Sequence, residues 1–211
     1  MPDFPSGLYA VTRETADTAS LLAKVEAALQ GGAAAVQYRD KSGDVARRHE
    51  QACELIALCR RYGVPLIVND DLRLADLAGA DGVHLGRDDA SVTEARIILG
   101  RDRFVGASCY QSLERAREAQ ARGADYVAFG SFFASPTKPD AARADPDLLR
   151  AAAARIAVPI VAIGGITLDN APCLIDAGAD VIAVSSALFD APDIRAAAHA
   201  FNQRFEVQSE S

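Results

Sequence analysis

Short apolar runs alternate along this chain with longer amphipathic ones. The short runs are "LYAVT" (8–12), "AAVQYR" (34–39), "PLIVND" (65–70), "GVHLG" (82–86), "FVGAS" (104–108), "YVAFG" (126–130), "PIVAIGG" (159–165) and "VIAVSSA" (181–187). Most are rich in Val, Ile and aromatic residues, the pattern of strands buried on both faces. Between them, apolar residues recur at helical spacing. "SLLAKVEAALQ" (20–30) stops at Gly31–Gly32 and "DVARRHEQACELIALCRRYG" (44–63) stops at Gly63, both C-cap signals. "SVTEARIILG" (91–100) and "SLERAREAQARG" (112–123) open on Ser with Glu close behind and read as capping boxes.

Strand–helix alternation implies a parallel sheet. Eight units in 211 residues predict a closed, single-domain (βα)8 TIM barrel over residues 1–211, in preference to an open doubly wound sheet. A related phrase recurs as "GGAAAVQYR", "AGADGVHLG", "ARGADYVAFG" and "DAGADVIAVSS", each a helix end followed by a strand, which strengthens that reading. The polar "EVQSES" (206–211) is expected to be a frayed tail.

Composition narrows the function more than the fold. Half of the residues are hydrophobic and 24% are charged, as in ordinary globular proteins. A net charge of −7 argues against nucleic acid and anionic membrane surfaces as partners, while a small anion in a locally basic cleft stays compatible. Cys53, Cys59, Cys109 and Cys173 have no CxxC or zinc spacing and read as reduced thiols of a cytoplasmic protein. The N-terminus has no secretory pattern, and no apolar run approaches the ~20 residues of a membrane span. Nothing in the composition fixes the oligomeric state, and a homo-oligomer stays open.

In a barrel of this class the active site lies at the C-terminal ends of the strands. There "QYRDK" supplies Gln37 and Arg39 on one side of the strand and Lys41 just beyond, a donor fork and a point charge suited to phosphate. "VNDD" brings Asn69 and Asp70, with Asp71 as a helix cap. "HLGRDDAS" brings Asp88 and Asp89 to the adjacent rim. Carboxylates from neighbouring strands suit Mg²⁺, which takes one or two of them together with water and substrate phosphate. The competing readings are that Asp89 caps the next helix and Asp70 pairs with Arg73. His84, inside its strand, reads as a packed, hydrogen-bonded histidine. Ser108 ends the fifth strand as a candidate ligand donor, and Cys109 beside it has no activating pattern. The loop "GSFFASPTKPD" (130–140) carries Ser135, Thr137 and Lys138 between prolines that stiffen it. "IGGIT" and "AVSSA" add Gly164, Gly165, Ser185 and Ser186 where such barrels commonly bind phosphate. Two anion sites around one mouth suit two phosphorylated small-molecule substrates.

The stretches "VQYRDK", "IVNDD", "GVHLGRDDA", "VGASCY", "GADYVAFGSFFASPTK", "IGGIT" and "AVSSAL" resemble, in order and over nearly the whole chain, the thiamine phosphate synthase (thiamine phosphate pyrophosphorylase) family. The resemblance implies a transferase that joins 4-amino-2-methyl-5-pyrimidinylmethyl diphosphate to the thiazole phosphate, releasing pyrophosphate by a dissociative route. It implies Mg²⁺ on Asp70 and Asp89. It places the pyrimidine diphosphate on Gln37, Arg39, Lys41, Asn69, Ser108 and Lys138, with catalytic duty on Arg39, Lys41, Ser108 and Lys138. The thiazole phosphate falls to Ser135, Thr137, Gly165, Ser185 and Ser186. Ser135 stands where the family often has Thr, and Arg87 where Gln is frequent, which leaves the role of Arg87 undefined. The related thiazole tautomerase, and a non-catalytic phosphate sensor on the same scaffold, are the alternative functions. The presence of Asn69, Asp70, Asp89 and Lys138 favours the synthase.

Overall fold

The computed structural model describes residues 4–134 and 143–206. Eight parallel strands close into a barrel in chain order: β1 (Gly7–Val11), β2 (Ala35–Tyr38), β3 (Leu66–Asn69), β4 (Gly82–Leu85), β5 (Phe104–Tyr110), β6 (Tyr126–Phe129), β7 (Ile160–Ile163) and β8 (Val181–Val184). β8 closes the ring against β1 with Leu8 opposite Ile182. The helices are α1 (Thr18–Gln30), α2 (Val45–Tyr62), α3 (Leu72–Ala78), α4 (Val92–Leu99), α5 (Leu113–Ala121), α6 (Asp147–Ala153), α7 (Ala171–Ile175), α8 (Ser186–Phe189) and α9 (Ile194–Glu206). The predicted TIM barrel is the observed one.

The helix boundaries follow local chemistry. Asp17, Asp44, Asp71, Ser91 and Ser112 each accept a backbone N–H of the first turn of their helix. At Ser91 the third residue on is Glu94, so the capping-box sequence is present. At Ser112 that position is Arg115, and Ser112 is a plain N-cap rather than the expected box. The seventh strand is shorter than its apolar run because Gly164 and Gly165 leave the β region, at φ 106° and 66°. The eighth ends at Val184, and Ser186 already belongs to α8. Glu206 closes α9 rather than opening a tail, and residues 207–211 lie outside the described ones.

Side chains alternate across each strand, and the two faces meet different surroundings. The outward set, including Leu8, Val36, Val68, Val83, Val127 and Ile182, packs under the helices in a continuous aliphatic layer. The inward set holds Tyr9, Val11, Ile67, Tyr126, Val161 and Val181, with Phe4 against them. Phe4 stacks on Tyr126 at 4.0 Å between centroids and meets Phe104 edge-on, stoppering the N-terminal end. The inner core is not purely apolar. Gln37 and His84 are buried there beside the two tyrosines. Gly106 faces the same space, where a Cβ would run into the Tyr126 ring, so a larger residue on β5 would displace it. The polar content rises towards the C-terminal ends of the strands, where the barrel opens.

Candidate active site at the barrel mouth

The segment after β2 is tied down by backbone bonds to the end of β1. Arg39 N–H donates to Thr12 Oγ1 at 2.9 Å and Lys41 N–H to Glu14 Oε2 at 3.1 Å. Asp40 is buried between them. Its Oδ1 accepts from Ser42 N–H at 2.7 Å, and its Oδ2 lies 3.6 Å from Arg47. Arg39 and Lys41 are thus presented on a braced loop. Thr12 and Glu14 were not among the residues picked from the sequence. The signal open to such a reading was the change from apolar to polar at Thr12, the first residue past β1.

Lys41 reaches the next strand: its Nζ lies 3.3 Å from Asp70 Oδ2, both groups part-exposed to solvent. Asp70 therefore faces Lys41 and not Arg73. It is one of two described non-glycine residues at positive φ, at 65°, and its N–H donates to the His84 carbonyl at 2.8 Å. A left-handed aspartate held by a neighbouring strand is the kind of local strain that accumulates at functional sites. Asp71 caps α3, as expected, and also pairs with Arg48 at 2.9 Å.

Asp89 does not cap α4; Ser91 does. Instead Asp89 Oδ2 turns back onto Gly86 N–H at 2.6 Å. Partial burial pushes its carboxyl above the usual range; the Gly86 bond opposes this and the Asp70 carboxylate adds to it. Two carboxylates this close, with the Asp70 charge adding to the proton affinity of Asp89, form a place where a cation is favoured. No group of three or more His, Cys, Asp or Glu capable of holding a metal occurs among the described residues. Two carboxylates are nevertheless a donor set that suits Mg²⁺, which completes its shell with water and phosphate oxygens. Asp88 is exposed beside them.

Arg87 has a clear contact. Its guanidinium lies 4.9 Å from the centre of the Tyr110 ring, Arg115 approaches the same ring at 5.6 Å, and Arg87 N–H donates to Tyr110 Oη at 3.3 Å. Tyr110 is the second positive-φ residue, at 56°.

Behind the mouth runs a buried chain of hydrogen bonds. Gln37 Nε2 donates to Tyr9 Oη at 2.9 Å, Tyr9 Oη meets Tyr126 Oη at 3.0 Å, Tyr126 Oη meets His84 Nδ1 at 3.0 Å, and His84 Nε2 meets Ser108 Oγ at 2.8 Å. Burial pushes both phenols well above their ordinary range. It pushes His84 down to about 4, with Asp70 opposing, so the imidazole is neutral at physiological pH. His84 is thus packed and hydrogen-bonded, as its place within β4 predicted. Tyr9 and Tyr126 were not singled out by the sequence reading, which had no means of seeing that they meet. Cys109 is buried in the outer layer under the helices, and burial lifts its thiol to about 12, which removes it as a nucleophile.

The other side of the mouth is built from backbone. Gly164 and Gly165 lie directly against residues 131–134: a Cβ on Gly164 would overlap Ser131, and one on Gly165 would overlap the Phe133 and Ala134 carbonyls. Phe133 N–H donates to the Gly164 carbonyl at 3.0 Å. The glycine pair lets the strand-6 and strand-7 loops pack as one unit, in addition to the anion approach expected of it. Ser185 stands at the N-cap of α8 with no side-chain cap bond, and Ser186 follows it, both partly buried at the rim. Ser135, Thr137 and Lys138 lie outside the described residues. Two surface hollows, of about 750 and 340 Å³, lie between α1 and the α8–α9 connection and beside Thr12–Thr15, and neither is lined by Asp70 or Asp89.

Comparison with known proteins points to one family. A family model described as "Thiamine monophosphate synthase" matches residues 8–188. A "Thiamine-phosphate synthase" of Thiobacillus denitrificans is 73% identical over 210 residues, covering 100% of both chains. One of Nitrosospira multiformis is 54% identical over 204 residues, covering 97% of this chain and 87% of its own. The solved structure of a thiamine phosphate pyrophosphorylase from Pyrococcus furiosus superposes with a TM-score of 0.85 at 36% identity, covering 95% and 96% of the two chains. With a matching family model over most of its length and a near full-length relative at 73% identity, the chain belongs to the thiamine monophosphate synthase family.

Proposed function

We propose that this chain carries out its family's condensation by a dissociative, Mg²⁺-assisted route at the mouth of the barrel. The pyrimidinylmethyl group of 4-amino-2-methyl-5-pyrimidinylmethyl diphosphate passes to the ring nitrogen of 4-methyl-5-(2-phosphoethyl)thiazole, or its carboxylated form. Thiamine phosphate and pyrophosphate result. The observation that carries this reading is the meeting of Lys41, Asp70 and Asp89 at the ends of three neighbouring strands.

The methylene carbon–oxygen bond breaks first, and its electron pair leaves with pyrophosphate. The thiazole nitrogen then captures the pyrimidinylmethyl cation. Asp70 and Asp89 are the residues that would hold Mg²⁺, which when bound supplies positive charge to the departing diphosphate. Arg39, Lys41 and Lys138 add fixed positive charge on the same group, and Ser108 adds a hydroxyl donor. Gln37 and Asn69 orient the pyrimidine end. Ser135, Thr137, Gly165, Ser185 and Ser186 hold the thiazole phosphate. The route needs no enzyme nucleophile, in keeping with the protonated Cys109 thiol. The protein works in the cytoplasm on small phosphorylated substrates.

The test is pyrophosphate release from purified protein with both substrates and Mg²⁺, each omitted in turn. Release that needs all three, with thiamine phosphate formed, is the expected result. A folded protein that binds thiazole phosphate but releases no pyrophosphate would refute it.

A further inference from the structure

Gln37 and Ser108 stand three strands apart in the ring, on β2 and β5, yet they are the two ends of one hydrogen-bond chain. Each interior member of that chain has two partners within it. Tyr9 lies between Gln37 and Tyr126, Tyr126 between Tyr9 and His84, and His84 between Tyr126 and Ser108. Tyr9, Tyr126 and His84 are all buried. A buried hydroxyl hydrogen without an acceptor is costly, so the bonds must run in a consistent direction.

The direction is set at one end. Gln37 presents its amide N–H to Tyr9, and an amide nitrogen only donates. Tyr9, having accepted, passes its own hydrogen to Tyr126. Tyr126 passes its hydrogen to His84 Nδ1, so His84 is neutral and carries its proton on Nε2. That N–H donates to Ser108 Oγ, and the Ser108 hydroxyl hydrogen is then directed away from the chain. If His84 Nδ1 instead donated to Tyr126 while Gln37 donated to Tyr9, one phenol hydrogen would have no acceptor within the chain.

We propose that Tyr126 and His84 are positioning residues: through this one-way chain they hold the Ser108 hydroxyl as a donor towards the mouth and the Gln37 amide with its carbonyl oxygen as the free acceptor. The inference rests on the function proposed above for its ligand. A diphosphate offers acceptors only, to which a Ser108 donor is matched, and an amino group on a heteroaromatic ring offers donors, to which the Gln37 carbonyl is matched. The chain makes these two preferences a single variable. Flipping the Gln37 amide would reverse every bond, move the His84 proton to Nδ1 and turn Ser108 into an acceptor from the mouth's point of view.

Two measurements on the full chain decide it. The first is ¹⁵N NMR of the histidine side chains, with His84 assigned by comparison with His84→Gln, since His49 and His199 are the only others. The Nε2–H tautomer is expected at His84 in the wild type. In Tyr126→Phe, which keeps the ring against Phe4, that single tautomer should give way to a mixture. An Nδ1–H tautomer in the wild type, or no change in Tyr126→Phe, would overturn the proposal. The second is a double-mutant cycle on turnover. Tyr126→Phe should lower kcat/KM for the pyrimidine diphosphate about tenfold while leaving KM for the thiazole phosphate unchanged. In a Ser108→Ala background the same change should have almost no further effect. Additive losses would contradict action through Ser108. The tautomer result does not depend on turnover, so an inactive wild type would count against the proposed function, while the chain itself would still be judged by NMR.

Discussion

The two sides of the barrel mouth reach binding by opposite means. The side from β2 to β5 uses charged and polar residues, and nearly every one is tied to a second: Arg39 through its backbone N–H to Thr12, Lys41 through its backbone N–H to Glu14 and its ammonium to Asp70, Asp89 to Gly86, Ser108 to His84. The β7–β8 side offers two glycines and two serines, with loops packed backbone against backbone. The contrast teaches that a site gathering like charges needs braces, because the charges would otherwise spread into solvent. A site made of peptide N–H groups needs only close approach, which glycine permits.

Four substitutions or conditions bear on this contrast. The largest effect is expected from Asp89→Asn. The amide oxygen still accepts the Gly86 N–H, so the fold and the loop are kept while the charge is lost. Turnover should fall on the order of 100-fold or more, with a higher Mg²⁺ requirement, because one of the two carboxylates proposed to hold the metal is missing. Unaltered activity across a Mg²⁺ titration would take Asp89 out of the mechanism.

Next comes pH. Burial lowers the His84 pKa to about 4 in the fold, below the unfolded value of 6.5, so the unfolded chain binds a proton in that interval and the folded one does not. Stability from this group is full above about pH 6.5 and is lost as the pH falls towards 4, by on the order of 3 kcal/mol. Thermal melts of wild type and His84→Gln across that range should differ in slope, with the variant flatter. Parallel curves would contradict the assignment.

On the backbone side, Gly164→Ala should cost about 1–3 kcal/mol, since alanine is strained at φ 106° and its Cβ overlaps Ser131. Thiazole phosphate binding should weaken more than pyrimidine diphosphate binding, measured by calorimetry. Equal losses would show that the two sides are not separate. The smallest effect is expected for Arg87→Gln. It removes an exposed stack on Tyr110, a contact of about 0.5–1 kcal/mol. Melting and both KM values should move little; a large loss would promote Arg87 into the binding machinery.

The order and type of the elements were legible in the sequence because apolar runs of strand length, separated by helical periods and Gly caps, leave few other architectures for 211 residues. The candidate residues at the strand ends were legible for the same reason: once the barrel is inferred, its C-terminal rim follows. Single boundaries were less so. The run at 181–187 reads as one strand through Ala187, but β8 ends at Val184 and the backbone turns into α8 at Ser186, a boundary that the two serines mark only weakly.

What only the tertiary structure decided is which groups meet. Lys41 and Asp70 lie 29 residues apart in sequence, and Tyr9 and Tyr126 lie 117 apart. No local pattern announces either contact. Closure of the ring brings β1 to β8 and turns the inward face of every strand onto a common axis, so residues whose neighbours in sequence are aliphatic become neighbours of one another. By itself the sequence determined the fold class and the set of charged groups at one rim, because both depend on periodicity. Its two polar systems, the braced carboxylates and the buried chain from Gln37 to Ser108, exist only where a closed barrel makes distant strands face each other.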